Sequence, residues 1–357
     1  MASYTDLLAA KYIAAAWTES ANANVEDYLG SSLFGFQKQD ELDLKWLKGY
    51  GGVPISLKPS AFDAEVALRG RIGATKVETE MPLFREGVQI SEKDRRALAD
   101  AMKLGDEHVK NVMSRIFRDT NALIRGAKVV PERMIWQLLA PTDGKPKISI
   151  SGDGINYAYN YDPNGKWFAN NFVDGASNPW SNASTATPID QFVSIAEKAK
   201  TNGSILRYAI MSQKTMTELR NSKQIKDIAL SQNATANIFM TEAIAKSVVE
   251  EITGIRPIVY SEIYGDESGA VKKFYPDKVV SLIPEGTLGD MYYAKTSEEY
   301  ELVGDPAKNV SIIDNSIAVS TVCTSEMPPR IAVYASEIVL PSYERMDSVY
   351  EMKVDAD

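Results

Sequence analysis

Cysteine and histidine are almost absent from this chain, which contains one of each, Cys323 and His108. One cysteine cannot form an internal disulfide, so the sequence predicts a protein of a reducing compartment. A Ser-His-Asp or Cys-His nucleophile would have to use His108, for which a solvated position near the start of a helix is expected. Cys323 follows a strand-like apolar run and is predicted to be a buried, inert thiol. Nucleophilic catalysis is therefore not expected.

The sequence also lacks the patterns of common cofactor and metal sites. Zinc prefers cysteine and histidine ligands, and no P-loop or Rossmann glycine pattern occurs. We therefore predict no cofactor and no metal. Carboxylates are the remaining catalytic groups, and the pairs formed by Glu78 with Glu80 and by Glu250 with Glu251 leave a carboxylate-based hydrolase open as an alternative.

The chain has fewer basic than acidic residues, and it contains no long apolar run. The 357 residues carry 39 lysines and arginines against 48 aspartates and glutamates, a formal net charge of −9. A nucleic-acid reader needs clustered basic residues for phosphate contacts, so this balance argues against one. No apolar run approaches the roughly 20 residues needed to span a bilayer, and residues 1–17 lack the basic and apolar regions of a signal peptide. No association with a membrane is expected.

Residues 53–86 are predicted to form a long two-stranded ribbon. Apolar positions alternate with charged ones in two strands, with glycines at the turn: Ala64, Val66 and Leu68, then Val77, Thr79 and Met81, separated by Gly70 and Gly73. A two-stranded ribbon alone is only marginally stable in water. Because the opposite positions are charged, we infer that the ribbon contacts another protein molecule.

Helical periodicity is strongest across residues 107–140. Apolar residues recur there at helical spacing from Val109 to Leu138. Gly126 and Pro131 interrupt the pattern, and because proline inside a helix costs about 3 kcal/mol, a kink or two abutting helices are predicted. Just upstream, residues 91–94 resemble a capping box that starts a helix toward Leu104.

The rest of the chain predicts an α+β protein. A short amphipathic helix should run from Thr5 to about Glu19, followed by an irregular arm to Gly52 that docks onto neighbouring molecules. Residues 147–161 predict a hairpin, and residues 162–187 a loop. From Pro188 onward, helices alternate with strands that should pair mainly antiparallel.

Six short segments together resemble one protein family. They are LKWLKG at 44–49, LKPSAFD at 57–63, TEMPLFREG at 79–87, FYPDKVV at 274–280, GTLG at 286–289 and IVLPSYERMD at 338–347. In this order and spacing, they resemble the major capsid proteins of tailed bacteriophages, specifically the lambda E-like family. The resemblance spans nearly the whole chain.

The resemblance implies a Hong Kong 97-like capsid fold divided into five parts. The predicted parts are an N-terminal arm (1–52), an extended β-ribbon loop (53–88), a peripheral domain (89–189) whose spine helix covers about 107–140, an axial domain (190–334), and C-terminal strands (335–357) returning to the peripheral domain. The implied function is that of a structural protein, not an enzyme. Its copies would form the hexamers and pentamers of an icosahedral shell enclosing phage double-stranded DNA.

The extended loop is the candidate site, because in such a shell it would lie across the adjacent subunit. The positive and negative side chains of residues 53–86 are balanced, five against five, which suits charge pairing that sets register and specificity. The predicted inter-subunit residues are Lys58, Asp63, Glu65, Leu68, Arg69, Arg71, Lys76, Val77, Glu78, Glu80, Met81, Phe84 and Arg85.

The resemblance also implies partners and a location. A scaffolding protein and a portal would act during assembly, a decoration protein could bind the shell, and the packaged DNA would lie nearby without specific contacts. The protein would reside in the virion capsid after assembly in the host bacterial cytoplasm. Another shell or tail protein of phage origin, including a nanocompartment-like subunit, remains the alternative beside the hydrolase.

Overall fold

The structure is a computed structural model, and it describes residues 8–21, 28–48, 75–152, 154–175, 177–232, 240–304, 309–324 and 330–355. The chain separates into two units. The first contains Met1–Lys45, Glu78–Glu132 and Asp290–Ser342, and the second contains Trp46–Val77, Arg133–Gly289 and Tyr343–Asp357. Each unit therefore draws on distant parts of the sequence.

The described residues contain both helices and strands. The helices are α1 (Ala10–Ala21), α2 (Leu29–Leu33), α3 (Glu92–Leu104), α4 (Asp106–Leu139), α5 (Lys166–Asn171), α6 (Pro188–Thr201), α7 (Gln213–Asn221), α8 (Lys223–Gln232), α9 (Glu242–Thr253) and α10 (Ser297–Gly304), with a 3-10 turn at Met346–Ser348. The strands are β1 (Phe34–Gln39), β2 (Asp43–Lys48), β3 (Thr75–Glu80), β4 (Leu83–Ile90), β5 (Lys147–Gly152), β6 (Ile155–Asn160), β7 (Phe172–Asp174), β8 (Leu206–Met211), β9 (Arg256–Val259), β10 (Ile263–Gly265), β11 (Val271–Lys273), β12 (Val279–Pro284), β13 (Gly289–Ala294), β14 (Val310–Ile313), β15 (Ile317–Thr324), β16 (Arg330–Pro341) and β17 (Tyr350–Lys353).

The first unit is built on a six-stranded sheet. Its strand order is β1-β13-β16-β15-β14, and β4 also pairs with β16. Apolar side chains of α1 (Leu8 just before it, Ile13 and Trp17) share one core with Ile116 of α4 and Val333 of β16. In water-to-interior transfer, each such side chain contributes about 1.5–3 kcal/mol. The predicted amphipathic helix is thus present as α1, and its apolar face packs in the core of its own unit.

The second unit is built on a five-stranded sheet of order β7-β17-β12-β8-β9. The pairs β17–β7 and β8–β9 are parallel, whereas β12 pairs antiparallel with both β17 and β8. Helices α6 to α9 bury their apolar faces against this sheet, with Phe192, Leu219, Val249, Leu282 and Met352 in one cluster. Two pairs of this sheet are thus parallel, but β13–β16, β14–β15, β15–β16, β16–β4, β5–β6 and β10–β11 are antiparallel. Over the described residues as a whole, the predicted α+β class with mainly antiparallel strands is confirmed.

Several local predictions are confirmed. Ser91 caps α3 by accepting a hydrogen bond from the Asp94 amide, as the capping-box pattern indicated. The predicted hairpin consists of β5 and β6, which pair antiparallel. The long periodic segment is the helix α4.

Other predictions need correction. The segment with Pro131 is one helix and not two abutting helices, because an apolar face continuous on both sides of the proline outweighs one lost hydrogen bond. Residues 162–187 are not all loop, since they contain α5 and β7. The arm is not irregular, since α2, β1 and β2 lie within it. Cys323 is exposed, because the last three residues of β15 extend beyond the buried part of the strand.

The five-part division of the chain stays a prediction. Residues 290–334, expected in the axial domain, belong with the first unit, and Tyr343–Asp357 belong with the second, to whose sheet they contribute β17.

Candidate assembly interface

The structure describes the predicted extended loop from Thr75 onward. Six of its candidate residues lie outside the described residues: Lys58, Asp63, Glu65, Leu68, Arg69 and Arg71. Lys76 is described only as part of the backbone of β3. The predicted pairing of two strands within the loop therefore also falls partly outside the described residues.

Strand β3 pairs with β2 of the arm. The predicted alternation is present, with Val77 half-buried and Glu78 and Glu80 exposed. Lys45 Nζ lies 3.3 Å from Glu78 Oε1 and 3.6 Å from Glu41 Oε2. The hydrogen bond and the charge of Glu78, followed by the charge of Glu41, raise the pKa of Lys45. Because these groups are exposed, the pair contributes to strand register more than to stability.

Met81 is buried within its own chain. Its amide donates a hydrogen bond to the carbonyl of Leu42 at 2.9 Å, and Nε2 of Gln39 lies 3.5 Å from its sulfur. Two chain segments of the first unit thus enclose this side chain. Because Met81 is already shielded from water by its own chain, an inter-subunit contact could bury little more of it.

Strand β4 carries the end of the predicted loop into the six-stranded sheet. It pairs antiparallel with β16, with Leu83 opposite Ile338 and Ile90 opposite Ile331. Phe84 is half-buried opposite Glu337, while Ile90 is buried in the core. Alternate residues of one strand point to opposite faces, so this register leaves Leu83 and Arg85 on the outer face.

Arg85 has polar partners on that face. Its Nη2 lies 2.7 Å from Glu298 Oε1 and donates a hydrogen bond to Ser297 Oγ at 2.9 Å. Ser336 Oγ donates to the other carboxyl oxygen of Glu298 at 3.0 Å. Burial alone would raise the pKa of Glu298, but hydrogen bonds from its own amide and Ser336, together with the Arg85 charge, hold it below the ordinary value. The carboxylate is therefore ionised at neutral pH.

Sequence reasoning missed two carboxylates that organise this unit. Glu298 was not distinguishable from other acidic residues at the start of a helix. Glu132 is fully buried and accepts hydrogen bonds from Gly30 and Ser31 of the arm. Its only sequence signal is weak, since Glu132 and the adjacent Arg133 are two charges within the otherwise apolar run from Val129 to Trp136 of α4.

The described residues that could serve a hydrolase lie at exposed positions. His108 is exposed near the start of α4, and the Glu78–Glu80 pair is exposed on β3. Within the described ranges, no group of three histidine, cysteine, aspartate or glutamate side chains is arranged to hold a metal ion. Across the same ranges, no helix combines the length and apolar character needed to cross a membrane.

A family model described as phage major capsid protein E matches residues 10–354 of the chain. A search among curated proteins finds no match.

Similar solved structures include three of phage origin. The putative capsid protein of a prophage of Escherichia coli CFT073 is 17% identical, with 79% of each chain covered and a TM-score of 0.54. A phage-related protein from Bordetella bronchiseptica RB50 is 12% identical, with 97% of each chain covered and a TM-score of 0.54. The capsid asymmetric unit of cyanophage A-1(L) is 10% identical, with 93% of this chain and 95% of that chain covered and a TM-score of 0.52. At these identities, the likeness shows the fold.

Proposed function

The chain belongs to the phage major capsid protein E family, and on that premise we propose how its copies build a shell. The family consists of structural capsid proteins, and the similar structures share the Hong Kong 97-like capsid fold. The protein is a shell-forming component of the virion capsid, and the prediction of a major capsid protein is confirmed. The match over residues 10–354 is the observation that carries this conclusion, and it gives the hydrolase alternative no support.

The proposed shell is icosahedral and encloses phage double-stranded DNA, with the subunits arranged as hexamers and pentamers. In each subunit the proposed roles follow the predicted parts: residues 190–334 gather around the local axes, and residues 89–189 with α4 form the periphery. The deficit of positive charge suits a shell that encloses DNA without binding its phosphates tightly. A scaffolding protein, a portal and a decoration protein are the proposed partners, and the host cytoplasm is the proposed site of assembly.

The extended loop is the proposed contact between neighbouring subunits. Met81, Phe84 and Arg85 tie its C-terminal end to the six-stranded sheet of its own unit. The remaining candidates, from Lys58 to Glu80, are proposed to meet the adjacent subunit. Balanced rim charges of this kind set register and specificity, while buried apolar side chains supply most of the affinity.

Electron microscopy of the purified protein tests the shell. Closed icosahedral particles are the expected result. Tubes would indicate a tail protein, and discrete small oligomers would overturn the proposal.

Charge reversal in the loop tests the contact. The double variant Arg69→Glu, Arg71→Glu should keep a folded subunit by circular dichroism but lose closed particles, because two loop cations would then face their partners with the wrong sign. The matched control reverses Arg96 and Lys103, two exposed cations of α3, and should assemble normally. Equal assembly of both double variants would refute the proposed contact.

A further inference from the structure

The short helix α2 begins without a cap of its own. The first amides of a helix have no acceptor within the helix, so side chains or water must satisfy them. Ser, Thr, Asp and Asn are the side chains that usually do so. Here the residue at the N-cap position is Tyr28, and it supplies no side-chain cap. The amides of Gly30 and Ser31 therefore depend on a group from elsewhere in the chain.

Glu132 of α4, about a hundred residues further along, supplies that group. Its Oε1 accepts a hydrogen bond from the Gly30 amide at 2.9 Å. Its Oε2 accepts from the Ser31 amide at 3.0 Å and from Ser31 Oγ at 3.3 Å. The Glu132 residue is completely buried. A buried carboxylate is costly unless hydrogen bonds compensate for lost water, and donors aimed at an ionised acceptor form stronger bonds than neutral pairs do.

The backbone of Gly30 lies directly against the Glu132 carboxylate. A Cβ at this position would lie 2.6 Å from Glu132 Oε2 and 2.9 Å from Glu132 Cδ. A Cβ does not approach other atoms this closely, so a larger residue would push the Glu132 carboxylate away from the amides. Glu132 and Gly30 thus form a matched pair, which we call the arm latch together with Ser31.

The arm latch lies where the N-terminal arm enters the sheet. Helix α2 ends at Leu33, and β1 begins at the next residue. Strand β1 is at one end of the strand order of the six-stranded sheet, and its Phe36 is exposed while stacking on Tyr293 at 4.9 Å between ring centroids. The latch therefore sets the path of residues 28–39, which carry an exposed aromatic side chain at the sheet's edge.

We propose that Glu132 is an assembly-positioning residue, whose hydrogen bonds to Gly30 and Ser31 hold the arm in the one path that lets subunits join. This inference rests on the proposed shell function. A latched arm presents β1 and Phe36 in a fixed geometry to a second copy of the chain, and ordering them beforehand lowers the entropic cost of association. An unlatched arm leaves the rest of the subunit folded but makes joining slower and less accurate.

Two variants break the latch from opposite sides. Glu132→Gln keeps the shape but removes the charge and turns one acceptor into a donor that faces an amide. Gly30→Ala leaves the carboxylate intact and displaces it. The matched control is Glu107→Gln, an exposed glutamate near the start of the same helix. Hydrogen exchange of residues 28–39, circular dichroism and electron microscopy of assembled particles are measured for each protein.

Both latch variants should raise exchange of the Gly30 and Ser31 amides by about tenfold or more, the loss expected for one hydrogen bond to a charged group. They should keep the helical signal and yield about tenfold fewer closed particles at equal protein concentration, a fall equivalent to one such bond. Glu107→Gln should match the unaltered protein in all three measurements.

Unchanged amide exchange in both variants would show that the latch does not hold the arm. Faster exchange with a normal yield of particles would show that it holds the arm but has no role in assembly. If Glu132→Gln fails to fold, Gly30→Ala decides between these outcomes. If the unaltered protein forms no shells, the proposed function fails, while the exchange measurement still tests the latch by itself.

Discussion

Glu351 should make the second unit less stable as pH rises, and replacing it with glutamine should remove that dependence. Glu351 lies in β17 between β7 and β12, opposite Phe172 on one side and Ser281 on the other. It is completely buried, and neither carboxyl oxygen has a hydrogen-bond partner among the described residues. Burial, followed by the charge of Asp143, raises its pKa well above the ordinary value. Burial therefore favours the protonated form of this carboxyl in the folded chain.

The sign and size of the effect follow from proton linkage. In the unfolded chain, a glutamate releases its proton near pH 4.3. Above that pH the unfolded state has lost the proton and the folded state still holds it, so the free energy of unfolding falls as pH rises. The slope is about 1.4 kcal/mol per pH unit for one group, and it continues until the raised folded pKa is reached. Glu351 alone should therefore lower the free energy of unfolding progressively as pH rises from about 4.3 toward its raised folded pKa.

Urea unfolding at several pH values measures this slope. Four of the five tryptophans, Trp46, Trp136, Trp167 and Trp180, belong to the second unit, so fluorescence reports mainly on that unit. Glu351→Gln should show a slope shallower by about 1.4 kcal/mol per pH unit than the unaltered protein. The control Glu250→Gln, at an exposed position of α9, should keep the original slope. Identical slopes for Glu351→Gln and the unaltered protein would refute the reasoning.

Three further predictions concern buried contacts. Glu337 of β16 is completely buried, which raises its pKa well above the ordinary value. The free energy of unfolding of the first unit should therefore also fall as pH rises, and Glu337→Gln should remove this fall. Hydrogen exchange of the β16 amides at several pH values measures it. Tyr275→Phe should lower the free energy of unfolding by about 2–4 kcal/mol in urea titrations, because the Tyr275 hydroxyl contacts the Ile210 carbonyl and both the amide and Oγ of Ser281 at 2.7–2.9 Å. The control Tyr300→Phe, at a residue that is 52% exposed, should lower it much less. Equal losses for the two variants would contradict the prediction. Gly87→Ala should lower the free energy of unfolding by about 1–3 kcal/mol in thermal unfolding, since a Cβ there would lie 2.4 Å from Tyr334 Cδ1. Adding Tyr334→Ala should restore part of this loss. No recovery in the double variant would mean that the Tyr334 ring is not the cause.

The fold was predictable where the signal is local. Apolar spacing identified α4, and the Ser91 cap identified the start of α3, because both depend on residues within one or two turns. Alternation also identified β3, whose Val77 is half-buried and whose Glu78 is exposed. The same reasoning failed for the arm, where short elements are stabilised by tertiary packing and leave little periodic signal.

The balanced charges of residues 53–86 predict a contact segment, and that prediction still has to be tested. The ion pair of Arg85 with Glu298 and the burial of Met81 could not be predicted from the sequence, because they depend on residues far away along the chain. Nothing near position 85 indicates that β16, some 250 residues later, lies beside it. Those partners follow only from chain topology.

By itself, the sequence determined the long helix α4 and the start of α3, showed that nucleophilic and zinc chemistry lack their residues, and, through its six short motifs, indicated the capsid family. The tertiary structure alone decided that Glu132 would cap α2, that burial would raise the pKa of Glu351 and Glu337, and that Cys323 would be exposed. The physical reason is the distance along the chain over which each interaction acts. Helix periodicity and capping act over a few residues, whereas burial and hydrogen-bond partners are set by which distant segments share one core.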